Sequence, residues 1–162
     1  MGHLALVQRA HGAPRLHEIV ETRLPIDEAF PFIADFANAP IWDPGTVSST
    51  RETDRPVGVG SRYRLVVKFG QRTAPMTYEI VTHEPDRQVV LTGEGAQVSA
   101  RDDIRFERLP DGGTRVDYPA DLQLKGGLRL VQPFLGGTFR KLGEDARPAE
   151  HEREVVQVAG GR

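Results

Sequence analysis

The sequence contains no cysteine, so disulfide bonds, thiolate nucleophiles and cysteine-ligated metal centres are all excluded. No serine lies in a GxSxG sequence, and no glycine-rich loop joins a predicted strand to a helix. The histidines lack the short spacings that are typical of metal ligands; they are His3, His11, His17, His83 and His151. We therefore expect neither a metal site nor a bound cofactor.

The sequence also lacks a large net charge and long hydrophobic runs. The 21 basic and 23 acidic residues give a net charge of −2, and no basic run alternates with aromatic residues, which argues against a nucleic-acid partner. No apolar run approaches the roughly 20 residues of a membrane helix. The apolar run from Leu4 to Val7 is too short for a signal peptide. We expect a cytoplasmic protein without membrane insertion, as a monomer or a homodimer.

A helical segment follows the first predicted strand, which covers residues 15–23. Asp35 and Asn38 interrupt this segment, and both residue types cap or break helices, so we predict two short helices. The chain then turns at residues 43–45. The helical face is defined by apolar residues that recur three or four positions apart: Ile26, Phe30, Ile33 and Ala37.

Residues 46–124 alternate between apolar and polar side chains, as antiparallel strands do. The clearest hairpin turn is Pro110-Asp-Gly-Gly113, and Gly93 and Gly95 indicate a turn or a bulge. After Gly127 the apolar period becomes helical, which predicts a helix over 128–147 packed against the sheet. Pro148 should stop or kink that helix. Residues 1–14 and 151–162 are predicted to be flexible tails around one domain, 15–150.

The three tyrosines share the strand phase of apolar neighbours, so we predict that Tyr63, Tyr78 and Tyr118 all face the interior. A buried phenol needs a partner for its hydroxyl. Either the backbone or water supplies that partner inside the core, or a ligand does.

Asp102 has the same strand phase as Val98 and Phe106, so it also faces inward in this register. A carboxylate in an apolar pocket has a raised pKa and can act as an acid or a base near neutral pH. If the phase slips after Gly95, either Asp103 faces inward instead or both aspartates lie near an exposed strand end. The two neighbours cannot both face the interior, which excludes a two-carboxylate glycosidase site.

Trp42 is the only tryptophan, and it stands directly before the turn Asp43-Pro44-Gly45. Two hypotheses follow from this position. The indole either gates the mouth of a cavity and stacks on a ligand, or covers the core beneath the helices.

Several short motifs carry a family resemblance: Leu24-Pro25, Glu28-Ala29-Phe30, Ala34-Asp35-Phe36, Trp42-Asp43-Pro44-Gly45, Val59-Gly60-Ser61-Arg62-Tyr63, Tyr78-Glu79-Ile80, Ile104-Arg105-Phe106-Glu107 and Gly113-Thr114-Arg115-Val116. With the order of the predicted elements, they make residues 15–147 resemble the polyketide cyclase/dehydrase branch of the START-like (SRPBCC) superfamily. The resemblance implies an α+β helix-grip fold. In that fold, a curved antiparallel sheet of about seven strands wraps around a long C-terminal helix.

Such a sheet leaves a cavity wherever inward side chains do not fill the space, and apolar cavities bind small hydrophobic ligands. If the protein is an enzyme, the resemblance implies cyclisation or dehydration of a polyketide-like substrate without a cofactor, with Tyr63, Tyr118 and Asp102 as catalytic candidates. The alternatives are a non-catalytic carrier or sensor for a lipid, sterol or quinone, and an interaction module with a filled core. The predicted ligand contacts are Trp42, Leu65, Val67, Met76, Tyr78, Ile80, Leu135 and Phe139.

Overall fold

The computed structural model describes residues 15–125 and a two-residue strand at 155–156. The predicted helix over 128–147, with Leu135 and Phe139, lies outside the described residues. The helical elements are α1 (Ile26–Ala34), a 3-10 helix (Phe36–Asn38) and α2 (Ala39–Trp42). The strands are β1 (Arg15–Thr22), β2 (Thr46–Arg51), β3 (Arg62–Phe69), β4 (Arg72–Glu84), β5 (Gln88–Gly95), β6 (Val98–Arg108), β7 (Thr114–Leu124) and β8 (Val155–Val156).

The strands form one curved antiparallel sheet in the order β2-β3-β4-β5-β6-β7-β1-β8. Strands β2 to β7 follow each other as neighbours, and β1 then pairs with β7 along its whole length. The two-residue β8, within the segment predicted as a tail, pairs with β1 at Glu21 and Thr22. The predicted antiparallel α+β architecture, with short helices after the first strand, is confirmed for the described residues.

The α1 helix packs its apolar stripe on the inner face of the sheet. The Pro25 carbonyl accepts the first helical hydrogen bonds, and the helix continues through Pro31. Phe30 contacts the rings of Phe106 and His83 edge to face, with centroids 4.9 and 5.1 Å apart. These contacts fix the helix over β4 and β6, because large aromatic rings account for much of the buried apolar area.

Asp35 separates α1 from the 3-10 helix, as the sequence predicted. Its carboxylate accepts a hydrogen bond from the Ala37 amide at 3.2 Å, which satisfies one of the amides left free at a helix start. The Asn38 side-chain amide donates to the Phe32 carbonyl at 3.0 Å. The two polar residues therefore turn the chain and bring Phe36 and Trp42 against the sheet.

Two threonines hold the chain where it leaves β1. Thr22 and Thr114 pair across β1 and β7. The Leu24 amide donates to Thr22 Oγ1 at 3.1 Å, and Thr114 Oγ1 donates to the Leu24 carbonyl at 2.8 Å. The backbone of Leu24 is thus fully hydrogen-bonded at a buried position, which sets where α1 begins.

Gly93 and Gly95 lie within β5, so the prediction of a turn or bulge at these residues was wrong. The chain turns later, at Ala96 and Gln97. Gly93 is opposite Tyr78 on β4, and a Cβ atom at position 93 would lie 2.6 Å from the Tyr78 ring. The missing side chain at this position gives room to an aromatic ring on the neighbouring strand.

Candidate functional site

Asp102 and Tyr118 form a hydrogen-bonded pair on the inner face of the sheet. Asp102 on β6 is opposite Ala120 on β7, and Tyr118 lies two residues from Ala120 on the same face. The Tyr118 hydroxyl donates to Asp102 Oδ2 at 2.8 Å. The Asp102 side chain is buried, with an exposed fraction of 3% for the residue. The predicted inward orientation of Asp102 is therefore confirmed.

Asp103 faces the opposite side of β6. Its carboxylate accepts hydrogen bonds from the Gln88 side-chain amide at 2.7 Å and from the Arg105 guanidinium at 3.0 Å. The alternative register, in which Asp103 faces inward, is excluded.

The environment of Asp102 changes its acidity. Burial raises the pKa of Asp102 to about 7, since the charged form loses water, and the Tyr118 hydrogen bond opposes this increase. The charges of Asp43 and Asp121 raise the pKa of Asp102 further. Burial and the neighbouring Asp102 charge also raise the pKa of Tyr118, so its phenol remains protonated and acts as a donor.

Asp43 brings a second carboxylate towards this pair, from the turn after α2. It accepts hydrogen bonds from the Gly45 amide at 2.8 Å and from Thr46 Oγ1 at 2.6 Å. Burial raises the pKa of Asp43, although these two bonds and the Lys68 charge oppose the change. Sequence reasoning interpreted Asp43 only as part of a helix stop. The sequence does contain a signal for this role. An aspartate directly before Pro-Gly commonly accepts hydrogen bonds from residues of the turn that it begins.

Aromatic rings connect the helical segment to the site. Trp42 meets Tyr118 edge to face at a centroid distance of 6.0 Å, and Phe36 contacts Trp42 at 5.6 Å. Phe36 also contacts Tyr78 at 5.5 Å. Trp42 has an exposed fraction of only 1% and covers the core beneath the helices, as the second hypothesis states, while its contact with a ligand remains a prediction. Phe36 was missed as a site neighbour, because its position depends on the break at Asp35.

Comparison with known proteins identifies the family. The family model described as polyketide cyclase / dehydrase and lipid transport matches residues 14–148. The chain belongs to this family. No curated protein matches the sequence.

Several solved structures share the fold of this chain. A START superfamily protein from Mycobacterium smegmatis is 16% identical, with a TM-score of 0.59 over 72% of this chain and 81% of that chain. The Zhui aromatase/cyclase from Streptomyces is 18% identical, with a TM-score of 0.59 over 72% of this chain and 71% of that chain. A protein from Deinococcus radiodurans is 18% identical, with a TM-score of 0.54 over 68% of this chain and 83% of that chain. The chain thus has the START-like fold of its polyketide cyclase/dehydrase family.

Tyr63 is separate from the Asp102–Tyr118 pair in this family member. It is fully buried on β3, and its ring lies 6.2 Å from that of Phe36. Burial and the Asp35 charge raise the pKa of Tyr63. Its hydroxyl faces Asp35 and Ser61 without the geometry of a hydrogen bond to any residue that the structure describes. All three tyrosines face the interior as predicted, and among them Tyr118 is the one that the structure shows hydrogen-bonded to Asp102.

The apolar residues predicted as ligand contacts lie on the inner face of β3 and β4. Leu65, Met76 and Ile80 are buried, and Val67 is half-buried against the core. The structure confirms their orientation, while their contact with a ligand remains a prediction.

Two absences hold for residues 15–125 and 155–156, the part of the chain that the structure describes. No group of three or more His, Cys, Asp or Glu side chains in this part of the chain is arranged to hold a metal ion. No helix in the same residues has the length and apolar character needed to cross a membrane.

Proposed function

We propose that the protein binds a small hydrophobic ligand against the inner face of the sheet and moves protons on it through Asp102 and Tyr118. The observation that carries this proposal is the 2.8 Å hydrogen bond between the Tyr118 hydroxyl and Asp102 Oδ2 on a largely apolar face. Family membership supports the same proposal, since the family description includes polyketide cyclases and dehydrases. A ligand with a polar oxygen would place that oxygen at this pair.

The acidity of Asp102 suits proton transfer near neutral pH. With a pKa of about 7, Asp102 is present in both protonation states, as efficient acid–base catalysis requires. The ionised carboxylate can remove a proton from a carbon next to a carbonyl group. The protonated carboxyl can return that proton to an oxygen of the ligand, directly or through the Tyr118 hydroxyl.

These steps are sufficient for a cyclisation without a cofactor. The carbon that loses its proton attacks a second carbonyl carbon of the same ligand and forms a carbon–carbon bond. The resulting alkoxide takes up the proton from Asp102. A dehydration follows if a neighbouring carbon loses a second proton and the hydroxyl leaves as water. The apolar face contributes by holding the ligand folded, so that its reacting carbons are close together.

Lipid transport is the second candidate function, because the family description names it. The Tyr118–Asp102 hydrogen bond satisfies both groups without a ligand, so an apolar molecule could bind nearby without exchanging protons. In that case the pair would contribute to the stability of the fold and to ligand orientation only.

A combined binding and turnover experiment separates these functions. Native mass spectrometry of the purified protein would detect a co-purified ligand, and a linear poly-β-ketone would then serve as substrate, with cyclisation and loss of water followed by mass spectrometry. We expect Asp102→Asn to bind the substrate but to lose about 10²- to 10⁴-fold in turnover. The matched control is Asp103→Asn, which removes the neighbouring carboxylate from the opposite face.

The outcomes are distinct. Binding with Asp102-dependent turnover supports the enzyme. Binding without turnover by the wild-type protein contradicts the enzyme and supports the carrier. Failure to bind any hydrophobic ligand would overturn both candidate functions.

A further inference from the structure

The Tyr78 ring packs directly against the backbone of Gly93. The side chain of any other residue at position 93 would clash with this ring. The two residues are directly opposite each other on β4 and β5. An added Cβ at Gly93 would lie 2.6 Å from Cε1 and Cζ of Tyr78, and 3.0 Å from Cε2. These three distances place the added Cβ atom over the face of the Tyr78 ring, at the end of the ring that carries the hydroxyl group. Gly93 therefore determines where the Tyr78 hydroxyl lies.

The Tyr78 ring also contacts Phe36 of the 3-10 helix, with centroids 5.5 Å apart and planes at 50°. Packing between the sheet backbone and an aromatic ring leaves the phenol little freedom to move. This position belongs to the fold and does not depend on a ligand.

The Tyr78 hydroxyl is a donor without an acceptor in the described part of the chain. The residue is 7% exposed, and no hydrogen bond to it occurs within residues 15–125. Burial raises the pKa of Tyr78, and the nearby charges of Asp102 and Asp43 raise it further, so the phenol stays protonated. Unlike the Tyr63 hydroxyl, the Tyr78 hydroxyl is not completely enclosed, so it can donate to water or to a ligand that replaces the water.

The surrounding charges limit which partner is favourable. The groups that act electrostatically on the Tyr78 hydroxyl are the two carboxylates, Asp102 and Asp43. Lys68 acts on Asp43, but no cation within the described residues acts on Tyr78. A ligand carboxylate, sulfate or phosphate at this point would be repelled by these charges, whereas a neutral carbonyl oxygen would accept the hydrogen bond.

We propose that Tyr78, held in place by Gly93, donates a hydrogen bond to an uncharged oxygen of the ligand, and that the site therefore selects ketones over anions of the same shape. This inference rests on the proposed ligand-binding function and specifies the chemical class of the ligand. Tyr78 is the residue that touches the ligand, and Gly93 is a positioning residue.

Three probes of similar size test this selection. Acetylnaphthalene, ethylnaphthalene and naphthoate, substituted at the same ring position, present a neutral carbonyl, no oxygen and an anionic carboxylate. Affinities are measured by calorimetry near neutral pH. We expect the wild-type protein to bind the ketone about 3- to 10-fold more tightly than the ethyl compound, the range that one hydrogen bond supplies. Naphthoate should bind more weakly than the ketone.

Variants then assign the effect to Tyr78. Tyr78→Phe should abolish the preference for the ketone and leave the affinity for ethylnaphthalene unchanged. Gly93→Ala should also abolish it, since the new Cβ displaces the Tyr78 ring. Gly95→Ala is the matched control, because Gly95 is on the same strand and face but lies beside Met76. Should Gly93→Ala fail to fold, the Tyr78→Phe result decides alone.

Each outcome has a definite meaning. Binding of all three probes with a ketone preference that survives Tyr78→Phe overturns this inference and leaves the proposed function intact. Tighter binding of naphthoate than of the ketone also overturns it. If none of the probes binds, this inference fails, whereas the proposed function fails only if the protein binds no hydrophobic ligand at all.

Discussion

The indole of Trp42 meets the phenol ring of Tyr118 edge to face, with 6.0 Å between the centroids and 80° between the planes. Tyr118 in turn donates its hydroxyl proton to Asp102. Trp42 is the only tryptophan of the sequence, so its fluorescence reports on the Tyr118 ring, whose hydroxyl group is part of the proposed site.

We expect ligand binding to change the fluorescence of Trp42, because a ligand oxygen at the Asp102–Tyr118 pair would alter the position or polarity of the Tyr118 ring. A long-chain aliphatic methyl ketone is a suitable probe, because it does not compete with the indole for absorption of the excitation light. Trp42→Phe should remove the signal while calorimetry still detects binding. Trp42→Ala is less suitable, because truncating a buried tryptophan costs about 3–5 kcal/mol of stability. Unchanged emission at saturation would place the ligand elsewhere on the sheet.

The buried Asp102 should make the protein less stable as the pH rises. Its pKa is raised from 3.8 to about 7 in the folded state, so the folded state holds more protons than the unfolded state between these values. The stabilising contribution of this group is complete below its unfolded pKa and is lost as the pH rises through about 7. We expect the free energy of unfolding, measured with urea, to fall by a few kcal/mol between about pH 4 and about pH 8, at about 1.4 kcal/mol per pH unit.

Asp102→Asn should remove most of this pH dependence, because asparagine does not titrate. Asp103→Asn changes a carboxylate on the outer face of the same strand and provides the comparison. A wild-type pH dependence that persists in Asp102→Asn would show that other groups control it.

The pairing of Asp102 with Tyr118 follows only in part from features visible in the sequence. Strand phase, with its period of two, placed both residues on the inner face. The loop between Arg108 and Thr114, the last pair of β6 and β7, then fixes the register, since residues equally distant from that pair are opposite each other. Asp102 is accordingly opposite Ala120, two residues from Tyr118. The predicted turn Pro110–Gly113 alone would place Asp102 opposite Asp121, so the register could be assigned only once the loop was known to include Leu109.

The roles of Gly93 and Trp42 could not be derived in the same way. A glycine indicates either a turn or a close approach of another group, and the choice at Gly93 depends on the Tyr78 ring on the neighbouring strand. Likewise, an aromatic residue before a Pro-Gly turn can face solvent or the core. The burial of Trp42 results from its contacts with Phe36 and Tyr118, which lie on other elements.

The Thr114 hydroxyl should contribute measurably to stability, because it donates to the buried carbonyl of Leu24 at 2.8 Å. Thr114→Val keeps the shape but leaves that carbonyl without its donor. We expect a loss of about 1–3 kcal/mol in the free energy of unfolding, the usual cost of an unsatisfied buried group. Thr114→Ser retains the hydroxyl and should lose less than the valine variant. Equal stability of Thr114→Val and the wild-type protein would contradict the role of this hydrogen bond.

Removing the Tyr118 hydroxyl should raise the pKa of Asp102 above its value of about 7, because the hydrogen bond that Tyr118 donates stabilises the ionised carboxylate. The titration of Asp102 in Tyr118→Phe can be followed by carbon-13 NMR of labelled aspartate, with Asp102→Asn identifying the resonance. If ionised Asp102 is the general base, the acidic limb of the kcat/KM profile should move to higher pH in the same variant. Reduced kcat at unchanged KM beyond that limb would indicate that the hydroxyl also acts in the transition state. A carboxyl resonance that titrates as in the wild-type protein would show that the Tyr118 bond does not control the acidity of Asp102.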